Sequence, residues 1–187
     1  MLKKAIMIAD GCEEIEALTV VDLLRRADLA IDMVSIKEEK GVTGSHGIRF
    51  ETDFACSEFD PEQYDAVILP GGLPGTTYLG ESGMVTGAVK DFFGKGKLVA
   101  AICAAPTVLA AAGVLQGRRA TCYPAQTGKL TGAVLTGGSV VRDGNLITSR
   151  GMGTAIDFAL AIIAYYKGQE AADAMAEKIV YRADESC

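Results

Sequence analysis

Leu98-Val-Ala-Ala-Ile-Cys103-Ala-Ala-Pro-Thr-Val-Leu-Ala-Ala-Ala112 is the stretch that decides the fold. An apolar run ends in a cysteine, and a run of small helix formers follows with no loop between them. A strand that turns directly into a helix forces its turn residue into a strained conformation and pushes that side chain into the open. Such a turn needs small neighbours, and Ala101, Ala104 and Ala105 supply them. Pro106 falls in the first helical turn, where a missing N–H costs nothing. Cys103 then sits at a helix N-terminus, whose dipole and free N–H groups favour the reactive thiolate. The competing reading is an inert buried cysteine at a strand end, since cysteine is among the most buried residue types.

Outward from this elbow, strand and helix patterns alternate. Ala5–Ala9 and Ile31–Ile36 read as strands around a helix from Glu13 to Ala27, with Ile15, Leu18, Val21, Leu24 and Ala27 at helical spacing. Residues 42–54 read as a side hairpin broken by Gly44 and Gly47. Asp65–Leu69 is a further core strand ending in Pro70-Gly71-Gly72-Leu73-Pro74-Gly75. Gly83–Gly94 reads as a helix with Val85, Val89, Phe92 and Phe93 inward. Arg119–Tyr123 is a short strand stopped by Pro124. Residues 139–149 form a hairpin around Asp143-Gly144. Helices over Thr154–Tyr166 and Glu170–Ile179 complete the chain. This alternation predicts an α/β fold with a mainly parallel sheet covered on both faces, and no internal domain boundary is visible from 1 to 187. In such sheets ligands bind beyond the carboxyl ends of the strands. Three segments fall there: Gly11–Glu16, Gly71-Gly72 and Cys103.

Composition narrows the function. The chain has 187 residues, 49% of them hydrophobic, with a formal net charge of −6. Arg25-Arg26 and Arg118-Arg119 are isolated pairs, so neither nucleic acid nor an anionic membrane is an expected partner. The first apolar run is too short for a signal peptide and none reaches membrane-spanning length, which predicts a cytoplasmic protein. Five cysteines without CxxC spacing argue against a disulfide framework or a zinc site and fit a reducing compartment. Cys187 reads as a free tail thiol. The glycine run after Leu69 lacks the Lys-Ser/Thr ending of a phosphate loop, so neither a cofactor nor a metal is expected.

The N–H groups of Gly72 and Ala104 are candidates for an oxyanion hole beside Cys103, with Gly71 lining the same turn. Glu13 and Glu14 fit solvated carboxylates at a helix start. Glu16, one turn in, is expected to face inward, where burial and a thiolate would raise its pKa and let it carry protons. The single histidine, His46, lies in the Gly44-Ser-His-Gly47 turn, not downstream of the cysteine, and reads as a surface turn residue. A Cys-His-Asp hydrolase is therefore disfavoured. Cys122 reads as a core residue; within disulfide reach of Cys103 it would instead be a resolving thiol.

Gly11-Cys-Glu-Glu-Ile-Glu16, Leu69-Pro-Gly-Gly72, Ala100-Ala-Ile-Cys-Ala-Ala-Pro-Thr107 and Thr148-Ser-Arg-Gly-Met-Gly-Thr154 resemble, in order and spacing, the motifs of the ThiJ/PfpI superfamily. The resemblance spans essentially the whole chain and is nearest the branch of Parkinson disease protein 7 and its bacterial relatives. It implies a single domain of the class I glutamine amidotransferase-like type, folded as a flavodoxin-like three-layer sandwich. It also implies a homodimer with the active site near the subunit interface. Carried over by motif, Cys103 is the reactive, oxidation-sensitive cysteine and Glu16 its protonated partner. Gly72 and Ala104 are the backbone donors, and Thr148, Ser149 and Arg150 lie close to the pocket. Two positions depart from the pattern. The pocket histidine of relatives with glyoxalase or deglycase activity falls at Tyr123, and a phenol ionises too high to be a good base near neutrality. The protease-like branch has a histidine after the cysteine, where this chain has Ala104.

The leading expectation is a cofactor-independent cysteine enzyme acting on small reactive carbonyls, of the glyoxalase or deglycase kind. The alternative is a non-enzymatic, redox-responsive stress protein or chaperone, which needs only the Cys-Glu pair and an oxidant. A third, weaker reading is a hydrolase completed by His46 of the partner subunit.

Overall fold

The alternation of strand and helix patterns is realised as one sheet between two helical layers. The computed structural model describes residues 3–181, so Cys187 lies outside the described residues. In chain order the elements are β1 (Lys3–Ile8), α1 (Glu14–Arg26), β2 (Ile31–Ser35), β3 (Gly41–Thr43), β4 (Arg49–Glu51), β5 (Tyr64–Leu69), α2 (Gly75–Glu81) and α3 (Gly83–Gly94). They continue as β6 (Leu98–Ile102), α4 (Pro106–Ala111), β7 (Arg119–Ala120), β8 (Val134–Leu135), β9 (Val140–Asp143), β10 (Leu146–Ser149), α5 (Ala155–Lys167) and α6 (Gln169–Lys178).

The six-stranded sheet runs β2-β1-β5-β6-β10-β9. All its pairings are parallel except β10 with β9, the expected hairpin. Strand residues alternate between the faces because the side-chain period is two. Ile6, Ile8, Ala66, Ile68, Ala100 and Ile102 pack under α1, α5 and α6. Ala5, Met7, Val67, Leu69, Val99 and Ala101 pack under α2, α3 and α4. This is the flavodoxin-like three-layer sandwich. Burial on both faces explains why β6 reads as a continuous apolar run rather than an alternating one. The strand order reverses between β1 and β5, so the loops after those strands diverge and leave a crevice at their carboxyl ends.

Four details differ from the sequence expectations. The buried face of α1 is Glu16, Ala17, Val20, Val21, Leu23 and Leu24, together with Glu14, while Ile15 is half exposed. The 3.6-residue period is present, but its phase is set by small and acidic residues. Phe93 stays half-buried, and Ala88 takes the inward place beside Val85, Val89 and Phe92. Helix α2 forms from Gly-Thr-Thr-Tyr-Leu-Gly-Glu, which carries no apolar period beyond Leu79. The strand read over 119–123 is only the two-residue β7, which pairs with β8 from fifteen residues later in the chain rather than joining the main sheet.

Candidate active site

The crevice at the switch point holds the three segments singled out in the sequence. Cys103 ends β6 and adopts φ +64°, in the left-handed region that a residue with a Cβ avoids. Its backbone is gripped from both sides. The Cys103 N–H donates to the Ser149 carbonyl at 3.0 Å, and the Tyr123 N–H donates to the Cys103 carbonyl at 2.8 Å. The chain then tightens through Ala105 N–H to Ile102 O (3.0 Å) and Thr107 N–H to Ala104 O (3.1 Å) before α4 begins at Pro106, its first position. The side chain of Cys103 is left half-buried at the mouth of the turn.

Glu16 comes from the first turn of α1 and is 1% exposed. Its Oε2 accepts the Gly71 N–H at 2.9 Å. A Cβ at position 71 would lie 2.6 Å from both the Cys103 Cβ and Glu16 Oε2, so only glycine leaves room for the two side chains to meet. Gly72, at φ +89°, packs its Cα against the backbone of Cys12 and Glu13. The N–H groups of Gly72 and Ala104 both act on the Cys103 sulfur. Glu16 Oε1 is buried without a formed hydrogen bond, although Cys103 lies in interacting reach. The contact between carboxyl and thiol is therefore loose in the resting site; such contacts commonly tighten only when substrate binds.

Burial governs the electrostatics. It pushes the Glu16 carboxyl up to about 7, against the pull of Cys103 and the Gly71 N–H. It also pushes the Cys103 thiol up to about 12, reinforced by the charge of the facing Glu16 carboxylate and opposed by the N–H groups of Ala104 and Gly72. The expected lowering of the Cys103 pKa by a helix N-terminus is overridden. Helix α4 is six residues long and starts three positions on, so its field is weak beside burial and a facing carboxylate. Two groups this close titrate as a pair. The carboxyl ionises well before the thiol, so the one-proton state of the pair carries its charge mainly on Glu16 and its proton mainly on the sulfur.

Tyr123 is half exposed, and Gly151 brings its ring and the sulfur together. A Cβ at 151 would stand 3.5 Å from the ring and 3.9 Å from Cys103 Sγ. Ser149 is fully buried; its hydroxyl donates to Ser139 O at 2.9 Å and pairs with Thr154 Oγ1 at 2.7 Å, so it holds the 150–154 loop instead of facing the crevice. Thr148 is likewise inside, its Oγ1 accepting the Thr121 N–H. Arg150 is exposed, and its charge acts on Cys122. Cys122 packs in the core, its thiol raised by burial and donating to Tyr123 O at 3.3 Å.

One functional residue was misread in the sequence. Glu14 is not solvated but 3% exposed. It accepts the N–H groups of His46 (2.8 Å) and Ile48 (3.4 Å), contacts His46 Nδ1 at 3.2 Å, and so fastens the β3–β4 turn to the start of α1. These hydrogen bonds hold its pKa below the usual range despite burial. No local signal reveals this, because the donors lie some thirty residues downstream. His46 is an exposed turn residue, as read. Glu13, Glu14 and His46 place ligand-type atoms within 4.8 Å of one another, but each is already engaged in the hydrogen bonds described here. A pocket of about 200 Å³ lies beside the elbow, lined by Leu73, Thr76, Ala104, Thr107 and Gln126. Larger clefts of about 560 and 680 Å³ lie away from Cys103 and Glu16.

A flavodoxin-like sandwich with a strained cysteine and a buried carboxyl at the sheet's switch point defines a class of cysteine-elbow proteins. Within that class the chain belongs to the DJ-1/PfpI family, which it matches over residues 3–165. It is 38% identical to Protein dj-1beta of Drosophila melanogaster over 96% of this chain and 98% of that protein. It is 36% identical to a protein of Thermococcus kodakarensis named as a deglycase, over 80% and 90% of the two chains. The solved structure of oxidized Toxoplasma gondii DJ-1 superposes with a TM-score of 0.93 at 34% identity, covering 98% of this chain and all of that one. Among the described residues, no helix is long and apolar enough to cross a membrane.

Proposed function

We propose that this chain is a cofactor-independent cysteine enzyme acting on small reactive carbonyls, of the glyoxalase or deglycase kind. The observation that carries the reading is the meeting of Cys103 and the buried Glu16 carboxyl across Gly71. The similarity to a deglycase-named protein supports it. The chemistry follows from the one-proton state of the pair. The Glu16 carboxylate takes the Cys103 thiol proton as the sulfur adds to the aldehyde carbon, forming the C–S bond, and delivers that proton to the carbonyl oxygen. The N–H groups of Gly72 and Ala104 hold that oxygen as charge develops on it. For a 2-oxoaldehyde, the Glu16 carboxylate then takes the proton from the sulfur-bearing carbon and returns it to the neighbouring carbon, while the hydroxyl proton passes to the neighbouring carbonyl oxygen. This yields a thioester, which water hydrolyses to a 2-hydroxy acid and free thiol. Incubating the protein with methylglyoxal is expected to form lactate, with activity lost in Cys103→Ala and strongly reduced in Glu16→Gln. Absence of lactate, or full activity in Cys103→Ala, refutes the reading.

Tyr123 in the place of the family's histidine favours a second reading, a redox-responsive protein. There the Cys103 thiolate attacks a peroxide oxygen, the O–O bond breaks, and sulfenate and water are formed. Mild peroxide should then oxidise Cys103 ahead of Cys56, a half-exposed thiol raised by its hydrogen bond to Glu38. Equal oxidation of the two overturns it. In either case we propose a homodimer, supported by the exposed Ile15 and Ile48 beside the Glu14 clamp.

A further inference from the structure

Cys103 and Glu16 are held by different elements, and something must keep them in register. Glu13 stands where those elements meet. As the N-cap of α1, its Oε2 accepts the Glu16 N–H at 2.8 Å. Its own N–H donates to the Gly71 carbonyl at 2.9 Å. The Gly71 N–H in turn binds Glu16 Oε2 at 2.9 Å, which closes a ring of three hydrogen bonds through Glu13, Glu16 and Gly71. Gly72 packs directly on the Glu13 backbone, so the same residue also braces the turn that aims an N–H at the sulfur.

We infer that Glu13 is a positioning residue: its carboxylate and backbone N–H lock the first turn of α1 onto the Gly71-Gly72 turn and so fix the Glu16 carboxyl beside the Cys103 sulfur. The inference deepens the reading above and rests on the Cys103–Glu16 pair being the reactive centre. Most helix caps hold only the helix; this one holds a loop and a reactive carboxyl as well. Its charge has a second effect. The groups acting on the Glu16 carboxyl are Glu13 from its own helix, the Gly71 N–H from the loop after β5, and Cys103 from the elbow. Of these, Glu13 is the one that disfavours the ionised form through charge.

The test is the pH profile of Cys103 alkylation by iodoacetamide in the full chain, read by peptide mass spectrometry, with thermal melting to show that each variant is folded. In the wild type, alkylation should rise with a midpoint near pH 7, where the Glu16 carboxyl ionises and can take the Cys103 thiol proton as the sulfur attacks. Glu13→Gln keeps an oxygen to accept the Glu16 N–H but removes the charge. Its midpoint should fall by about half a pH unit, the size of a charge interaction across a partly exposed gap, with amplitude retained. Glu13→Ala also removes the acceptor, and the step near neutrality should disappear. A folded Glu13→Ala with the wild-type midpoint and amplitude overturns the inference, as does a Glu13→Gln whose midpoint does not move. Should Glu13→Ala not fold, Glu13→Gln decides alone. Glu16→Gln separates the two levels: if the step near pH 7 survives in that variant, the pair itself is misassigned, whatever Glu13 does.

Discussion

Replacing Gly71 by alanine adds one methyl group at the most crowded point of the site. The new carbon would lie 2.6 Å from the Cys103 Cβ, 2.6 Å from Glu16 Oε2 and 3.0 Å from the Ile102 carbonyl, where ordinary contact begins at 3.4 Å. Cys103 cannot retreat, because its N–H and C=O are both tied to neighbouring segments. Ile102 belongs to a central strand with parallel partners on either side. Only the Glu16 carboxyl can give way, and to do so it must break its bond to the Gly71 N–H and leave the sulfur. Overpacking of this kind costs about 1–3 kcal/mol. For a chain of this size that is a fall in melting temperature of roughly 3–10 °C. The larger effect is on reactivity, since the step in Cys103 alkylation near pH 7 should vanish. Gly87→Ala, in the interior of α3 where an added Cβ meets nothing within 4 Å, is the matched control. It should stabilise the protein by about 0.5–1 kcal/mol and leave alkylation alone. Gly71→Ala melting within a degree of wild type with an unchanged alkylation profile refutes the account of the site as a space kept open by a missing side chain.

Other perturbations probe neighbouring parts of the machinery. Glu16 has its folded-state pKa raised from an ordinary 4.5 to about 7, so the folded protein binds that proton more tightly than the unfolded chain. The stabilisation is full below about pH 4.5 and gone above about pH 7, a change on the order of 3 kcal/mol; Glu16→Gln should remove it, and parallel pH–stability curves for the two proteins in urea would contradict this. Glu14→Ala strips the acceptor from the His46 and Ile48 N–H groups and should cost about 1–3 kcal/mol. Hydrogen exchange at those two amides should accelerate, and slow exchange in the variant would show that the clamp is not what holds the turn. Tyr123→His places an imidazole beside the sulfur and should raise lactate formation from methylglyoxal by about tenfold or more near neutrality. No gain would mean that position 123 carries no proton in this protein.

The sheet was legible because its strands are punctuated. Leu98–Ile102 is bounded by lysines and glycines on one side and by the cysteine on the other, and the observed β6 has those limits. The elbow was legible for the same reason. The phase of α1 was only half legible: Glu16 faces inward as expected, but hydropathy assigns Glu14 to the outside and Ile15 to the core, and the reverse is found. Glu14 is inside because the backbone N–H groups of His46 and Ile48 wait for it, and those partners leave no trace near residue 14. Helix α2 went unread because threonines and glycines set no period; it forms where the chain must turn back from the crevice. The β7–β8 pair depends on a contact between segments that local patterns do not link.

The φ of +64° at Cys103 has a further consequence. A residue with a Cβ held there costs of order 1–3 kcal/mol, which the hydrogen bonds from Tyr123 and to Ser149 offset. The sulfur is thus presented by a spring-loaded hinge: the segments on either side hold it shut, and no relaxation of the cysteine alone can withdraw the sulfur from whatever enters the crevice. The reactive atom owes its aim to the two segments that hold its backbone, so loosening either hydrogen bond should blunt the chemistry while Cys103 and Glu16 remain in place.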